Sequence, residues 1–257
     1  MTKDVSRETV GDALQGRLSR WLDFWGVEAD DEHVQPLVEF TFMLSDYKDA
    51  NIIGTRDVGR IIDLHIADSL SCLLHDPLHD AGKLVDVGSG GGLPGLPLQL
   101  CLPDARVHLV EATGKKTAFL EKAVARFSLA NTCVINGRAE DFGQDTRYRA
   151  TYDVATVRAV ASLPVLVEYC LPLVKIGGRV MAMKGRPSPG ELDQGEKAAR
   201  ILGGALEAVI PVPTLPEAEP RNRCLVVFKK ERRTPSIYPR RVGLPRKDPL
   251  GEDDGGK

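Results

Sequence analysis

The apolar residues in the first third of the chain recur at the spacing of a helix. Residues three, four and seven apart lie on one face of a helix. Such a face carries Leu14, Leu18, Trp21, Leu22 and Trp25. Further apolar stretches follow over residues 34–44 and, with amphipathic spacing, over 58–73. We therefore predict an N-terminal helical segment over residues 1–80 that packs on the rest of the protein.

The middle of the chain alternates short apolar runs with helical patterns. The predicted strands are 83–87, 107–111, 132–135, 152–157, 179–183, 206–212 and 223–229. Helical patterns lie between them at 93–101, 115–129, 163–174 and 192–202. Strands that alternate with helices form a parallel sheet with helices on both faces. The last two strands are joined by a hairpin-like loop, so we predict an α/β core over 81–232 with a mostly parallel seven-stranded sheet.

Charge sets the C-terminal part of the chain apart. The whole chain has a formal net charge of −2, yet residues 221–247 contain ten Lys or Arg and one acid, Glu231. This segment therefore carries +9 and the remainder −11. Such a run forms either a solvated tail or an arm that neutralises nucleic-acid phosphates. Local charge does not choose between them, and we treat residues 233–257 as a basic C-terminal tail.

Composition disfavours several other classes of protein. No uncharged apolar run approaches the roughly 18 residues of a membrane span, and the first ten residues lack the apolar region of a signal peptide. The five cysteines lie far apart and never at CxxC spacing, which disfavours a zinc site or a disulfide framework. We expect a cytoplasmic, monomeric protein with no metal and no membrane partner.

A glycine-rich turn follows the first predicted strand, in LVDVGSGGGLPGLPLQL at 84–100. Gly90, Gly92 and Gly95 fit the GxGxxG spacing of dinucleotide-binding loops. Asp86 followed by Gly88, Gly90 and Gly92 fits a different, acid-first pattern. A carboxylate beside the turn repels a pyrophosphate and suits a cation. No Gly-Lys-Ser/Thr follows the loop, so the triphosphate pattern is absent.

S-Adenosyl-L-methionine, which carries a sulfonium and an ammonium but no phosphate, is the ligand that the acid-first pattern favours. The pattern is typical of Rossmann-like methyltransferases. Glu111 ends the second strand, 23 residues after Gly88, where an acid binds ribose hydroxyls in such folds. NAD-binding proteins share this acid, so Glu111 supports a nucleoside ligand without choosing one.

Seven motifs occur in a fixed order along the chain. They are HIADSL (65–70), DVGSGGGLPGLPL (86–98), VEATGKKTAFL (110–120), GRAED (137–141), YDVATVRAVASL (152–163), MKG (183–185) and YPRRVGLPRKDPL (238–250). In order and spacing, the chain from Asn51 to Leu250 resembles the bacterial small-subunit ribosomal RNA guanine-N7 methyltransferases, the RsmG or GidB family. NIIG at 51–54 departs from the Asn-Leu-Thr that is common in that family.

The resemblance implies a Rossmann-like class I methyltransferase. It implies that S-adenosyl-L-methionine donates a methyl group to guanine N7 in the 530 loop of 16S ribosomal RNA, within the small subunit or an assembly intermediate. Cofactor contacts carry over to Gly88, Leu93, Ala139, Glu140 and Arg158. With the loop and strand-end residues, the predicted cofactor site comprises Asp86, Gly88, Gly90, Leu93, Glu111, Ala139, Glu140 and Arg158.

Guanine N7 is an unprotonated lone pair, so its methylation is an in-line displacement that needs positioning rather than a general base. We therefore assign no catalytic acid or base and expect Arg158 to act in positioning. The candidate RNA contacts are Lys115, Lys116, Arg138, Lys184, Arg223, Arg240 and Arg241.

Three questions stay open. Lys184 keeps a ribose 2′-O-methyltransferase as an alternative, because a lysine at the end of the fifth strand also occurs in those enzymes. A non-catalytic RNA-binding protein on the same fold is a second alternative. His65 shares a helix face with Asp68 and Ser69, either as a hydrogen-bonded packing cluster or as an RNA contact.

Overall fold

The N-terminal part of the protein is helical, as its apolar spacing predicts. A computed structural model of the protein describes residues 6–28, 30–75, 78–158 and 161–251. Its first elements are α1 (Arg7–Trp25), α2 (Asp31–Asp46), α3 (Val58–Ile61), a π-helical turn (Ile62–Ala67), α4 (Asp68–Leu70) and a 3₁₀ turn (Ser71–Leu74). Helix α1 begins where Ser6 accepts a hydrogen bond from the Thr9 N–H, and it ends at Gly26 in the left-handed conformation, a usual pair of caps.

The core is a seven-stranded sheet, which confirms the predicted fold class. Its strands are β1 (Lys83–Val87), β2 (Arg106–Glu111), β3 (Thr132–Asn136), β4 (Tyr152–Arg158), β5 (Val174–Gly185), β6 (Gly204–Pro211) and β7 (Arg223–Lys230). The spatial order is β3-β2-β1-β4-β5-β7-β6. Among the described strands, β7 alone has the reverse direction, and it pairs antiparallel with both neighbours, β5 and β6.

In the described part of the chain, six helices follow β1. They are α5 (Gly95–Cys101), α6 (Gly114–Arg126), α7 (Ala139–Gln144), α8 (Leu163–Cys170), α9 (Pro189–Ile201) and α10 (Leu244–Lys247). The helix predicted over 163–174 is wrong at its C-terminal end, because Val174 already begins β5. Pro172 lacks the N–H that would continue the helical ladder. Helices α7 and α10 were not predicted, since six and four residues show too little periodicity.

The sheet separates two apolar cores. Side chains alternate across each strand, so Leu84 belongs to one core and Val85 to the other. The first core joins the sheet to α1, α2, the 58–74 helical segment, α5 and α6. The second joins it to α7, α8 and α9. The N-terminal helices are therefore packed directly on one face of the sheet.

Residues 233–251 pack along α7 and α8. The Arg149 guanidinium donates to the carbonyl oxygens of Tyr238, at 2.6 Å, and of Thr234 and Pro235, both at 3.0 Å. Arg240 forms an ion pair with the fully buried Glu168 at 2.7 Å. The described part of the basic tail is thus tied to the core. Within the described ranges, no helix is both long enough and apolar enough to cross a bilayer.

Candidate functional site

A cavity of about 630 Å³ opens at the carboxyl ends of the central strands. Strand order reverses at β1, which pairs with β2 on one side and β4 on the other. Ligands of open α/β sheets bind at such a reversal, and a volume of this size suits a small-molecule ligand. The walls comprise 52–54, His65, 87–91, Leu93, 110–113, Lys116, 137–140, Arg158, Tyr169, 242–243 and Arg246.

The glycine loop forms one wall, and the N–H groups of Gly88, Gly90 and Gly92 donate within the protein. Gly88 N–H donates to the Val110 carbonyl at 2.8 Å, and Gly90 N–H donates to the Glu111 carboxylate at 2.9 Å. Gly92 N–H donates to the Ser89 carbonyl at 2.7 Å. Phosphate-binding loops instead point such donors at the ligand. This loop is therefore a poor cradle for a pyrophosphate or a triphosphate.

Asp86 lies behind the loop and does not reach the cavity wall. It is fully buried, and its carboxylate accepts from the Gly95 N–H and the Thr156 hydroxyl, each at 3.1 Å. Burial raises the pKa of this carboxyl to about 6. We expected Asp86 to face a cationic ligand, but the structure places it against the N-terminus of α5. A phosphate would bind at that helix end in a dinucleotide site, and Asp86 occupies it instead.

Two other carboxylates do line the cavity, Glu111 and Glu140. Glu111 ends β2, and besides Gly90 it accepts a hydrogen bond from the Thr113 N–H at 2.8 Å. Glu140 lies in the first turn of α7 and accepts from the Gly243 N–H at 3.0 Å. Both residues are buried, whereas the cations Lys116, Arg138, Arg158 and Arg246 also line the cavity. A carboxylate accepts hydrogen bonds, so Glu111 and Glu140 can bind hydroxyl or ammonium groups of a ligand.

Arg158 ends β4 and anchors the N-terminal helices at the cavity. Its guanidinium donates to the Leu64 carbonyl at 3.0 Å and to His65 Nδ1 at 2.8 Å, and Nε lies 3.4 Å from Asp68. The π-helical turn supplies these acceptors, and such turns are frequent at functional sites. Arg223 binds Asp68 from the other side at 2.7 Å. His65 and Asp68 thus belong to one buried polar cluster, and His65 and Arg158 also line the cavity.

The predicted RNA contacts comprise residues on the cavity wall, exposed residues and residues that are engaged within the protein. Lys116 and Arg138 line the cavity, while Lys115 and Arg241 are exposed. Three others are engaged within the protein: Arg223 with Asp68, Arg240 with Glu168, and Lys184 with Glu191 and the Ala161 carbonyl.

Several wall residues were not anticipated. They are Ile52, Ile53, Gly54, Tyr169, Val242, Gly243 and Arg246. Periodicity could not identify them, since most lie in loops or in the short α10. Two segments noted in the sequence contain six of them: NIIG at 51–54 contains Ile52, Ile53 and Gly54, and YPRRVGLPRKDPL contains Val242, Gly243 and Arg246. The structure shows that both segments form part of the cavity wall.

Comparison with known proteins agrees with this geometry. The family model described as rRNA small subunit methyltransferase G matches residues 34–214. A relative from Rubrobacter xylanophilus, named ribosomal RNA small subunit methyltransferase G, is 49% identical over 232 residues, covering 90% of this chain and 89% of that one. A relative of the same name from Alkaliphilus oremlandii is 40% identical and covers 87% and 93%.

A solved structure shows the same fold in a more distant protein. Fibrillarin, a pre-rRNA processing protein of Methanococcus jannaschii, superposes with a TM-score of 0.51 at 14% identity. The superposition covers 63% of this chain and 73% of fibrillarin. The family itself follows from the sequence relatives: this chain belongs to the ribosomal RNA small subunit methyltransferase G family.

Proposed function

We propose that the protein transfers a methyl group from S-adenosyl-L-methionine to guanine N7 in the 530 loop of 16S ribosomal RNA. The substrate is the small ribosomal subunit or an assembly intermediate, encountered in the cytoplasm. One observation supports this most strongly. In a chain of this family, the cavity at the strand-order reversal is lined by the buried carboxylates Glu111 and Glu140 and by a glycine loop whose Gly88 and Gly90 N–H groups donate within the protein.

The residues present fit S-adenosyl-L-methionine. Glu111 is placed to accept hydrogen bonds from ribose hydroxyls, and the 88–91 backbone forms the wall beside it. Ala139 and Glu140, at the start of α7 after the third strand, also line the cavity. When bound, this cofactor supplies an electrophilic methyl group on a sulfonium. The Glu111 and Glu140 carboxylates on the wall suit its positive charge.

The exposed cations near the cavity are proposed to bind the RNA backbone. Lys116 and Arg138 lie on the cavity wall, and Lys115 and Arg241 lie outside it. Lys or Arg clusters bind phosphates and so fix the position of a nucleic acid. We therefore propose that the buried carboxylates Glu111 and Glu140 face the methyl donor and that these cations bind the RNA.

The reaction depends on the alignment of the methyl donor with guanine N7 more than on proton transfer. Guanine N7 has no proton to lose, so no side chain must act as a general base. Holding the two reactants in line accounts for much of the acceleration in such displacements. Arg158 contributes indirectly, because it fixes the 64–68 segment beside the cavity.

The ribose 2′-O alternative gains no support from the geometry. Lys184 would have to reach the reacting hydroxyl, but it does not line the cavity. Its ammonium is held by Glu191 and by the Ala161 carbonyl. Glu191 in turn accepts from the Leu163 N–H at 3.0 Å, so Lys184 belongs to the connection between β5, α8 and α9.

Methyl transfer onto small subunits tests the proposal. Subunits from a bacterial strain without its own family member are incubated with the protein and radiolabelled S-adenosyl-L-methionine, and the label is mapped by cleavage at N7-methylguanine. We expect label at one guanine of the 530 loop. Glu111→Ala should lose the transfer, and the exposed control Glu121→Ala should retain it.

Two results would contradict the proposal. Label recovered in alkali-resistant dinucleotides would instead indicate ribose methylation. Binding of the subunit without any transfer would indicate a non-catalytic RNA-binding protein.

A further inference from the structure

We infer, resting on the function proposed above, that His65 selects guanine by donating a hydrogen bond from Nε2 to the purine O6. His65 lines the cavity from the π-helical turn. Its role would be in specificity rather than in the displacement itself.

The hydrogen bond to Arg158 fixes the tautomer of His65. A guanidinium has only donors, so at the 2.8 Å contact Arg158 donates and His65 Nδ1 accepts. A neutral imidazole that accepts at Nδ1 carries its proton on Nε2. Within the described ranges, Nε2 has no hydrogen-bond partner. His65 therefore contributes an N–H donor at Nε2 to the cavity wall, because its neighbour Arg158 can only donate to Nδ1.

The surroundings keep this imidazole neutral. Burial and the positive charge of Arg158 lower the pKa of His65 to about 4. Arg221 and Arg223 act in the same direction, and Asp68 opposes them. A neutral ring suits the reaction, because positive charge passes to the purine as its N7 becomes methylated. An imidazolium beside the purine would repel that charge.

A donor at this place distinguishes the two purines. Guanine presents N7 and O6, both acceptors, on the edge where the methyl group is added, whereas adenine presents N7 and an N6 donor. An N–H beside the methylated N7 therefore pairs with guanine and opposes adenine. Sites that hydrogen-bond a substrate group discriminate strongly against an analogue that lacks it.

Removing O6 from the substrate and Nε2 from the protein forms a double-mutant cycle. Small subunits are reconstituted with guanine or 2-aminopurine, which lacks O6, at the target position. The two substrates compete in one reaction, so the ratio of their kcat/KM values does not depend on how much of a variant is folded. The base substitution itself also changes the intrinsic reactivity of N7. This change is the same for every protein, so it cancels when the ratio for a variant is compared with the ratio for wild type. Inosine, which keeps O6 but lacks the 2-amino group, serves as the control substrate.

We expect the wild-type protein to disfavour 2-aminopurine by at least about tenfold. This preference should largely disappear in His65→Phe and persist in His65→Gln, whose amide still donates. The guanine-to-inosine ratio should be the same in all three proteins. An undiminished preference in His65→Phe overturns the inference while leaving the proposed function intact. A wild-type protein that methylates no guanine overturns the proposed function itself.

Discussion

At the scale of single residues, Asp86 shapes the cavity without lining it. Its carboxylate lies between the start of α5 and the Thr156 hydroxyl, fully buried. A negative charge at a helix N-terminus is favourable, but burial in an apolar surrounding is not. The pKa of about 6 shows that burial dominates. The group is therefore ionised near neutral pH at a cost to the free energy of folding.

Asp86→Asn should flatten the pH dependence of stability. Because the folded-state pKa of about 6 exceeds the ordinary 3.8, the stabilisation from protonated Asp86 is complete below pH 4 and is lost as pH rises through 6. Over these two units we expect wild type to lose about 3 kcal/mol relative to the variant. Urea unfolding of both proteins between pH 4 and 8 measures the difference. A constant difference would show that Asp86 does not titrate in this range.

The kinds of residues in the site were predictable, but their partners were not. Asp86, the glycines of the loop and Glu111 could be predicted because they lie at the ends of predicted strands. That Asp86 would bind the Gly95 N–H, or that Arg223 would bind Asp68, 155 positions away, depends on tertiary packing. Sequence spacing reports which strand end a residue occupies, not the direction of its side chain.

At the scale of elements, the junction between β1 and α5 depends on the absence of a side chain at Gly95. A Cβ there would lie 2.4 Å from Leu109 Cδ2 and 2.9 Å from Asp86 Cβ. The helix can therefore start directly against the sheet. The glycine that completes the GxGxxG spacing serves close packing of helix on strand, as the third glycine of dinucleotide-binding loops also does.

Gly95→Ala should destabilise the protein by about 1–3 kcal/mol, because an added methyl group forces neighbours in a packed core to move. Gly114→Ala provides a matched control, since a Cβ at that helix start meets nothing within 4 Å. We expect the control to keep wild-type stability or to gain less than about 1 kcal/mol. Thermal unfolding compares the two, and calorimetry with S-adenosyl-L-methionine should show weaker binding only for Gly95→Ala. Equal stability of both variants would mean that the junction repacks freely.

The strands and the long helices were predictable, and the short helices α7 and α10 were not. Strand β1 was predicted at its observed bounds, 83–87, and the other strands to within a few residues. The exception is β5, whose first residues continue the apolar run of α8. The π-helical turn leaves little trace in the sequence, because Ile62, Ile66 and Leu70 keep ordinary four-residue spacing.

At the scale of the whole molecule, the basic C-terminal segment has two kinds of arginine side by side. Arg240 is mostly buried and binds Glu168, which is inaccessible to solvent. Arg241 is exposed, with no ion pair among the described residues. Charge counting treats both alike, so the sequence left open whether the segment is a solvated tail or a phosphate-binding arm. The structure gives the segment a part in the fold, and Arg241 stays exposed on its surface.

Arg240→Ala should destabilise the protein by about 3 kcal/mol, because it leaves the Glu168 charge buried and unpaired. Arg241→Ala, the neighbouring control, should leave the free energy of unfolding within about 0.5 kcal/mol of wild type. Urea unfolding at pH 7 measures both. Similar stabilities for the two variants would contradict the structural role of the Arg240–Glu168 pair.

Arg241→Ala should instead weaken RNA binding. If Arg241 contacts one phosphate, log K should fall less steeply with log [salt], by about one unit of slope. Titrating a 530-loop RNA fragment at several salt concentrations measures this slope. An unchanged slope would remove Arg241 from the proposed RNA surface.

The wall formed by Val242, Gly243 and Arg246 also has a consequence during translation. Ribosomes synthesise the chain from residue 1 onward, so the glycine loop and the whole sheet leave the exit tunnel before this wall does. Glu140 meets the Gly243 N–H only afterwards. The cavity is therefore complete only after these residues emerge, and a nascent chain that has already formed its sheet still lacks one side of the cavity.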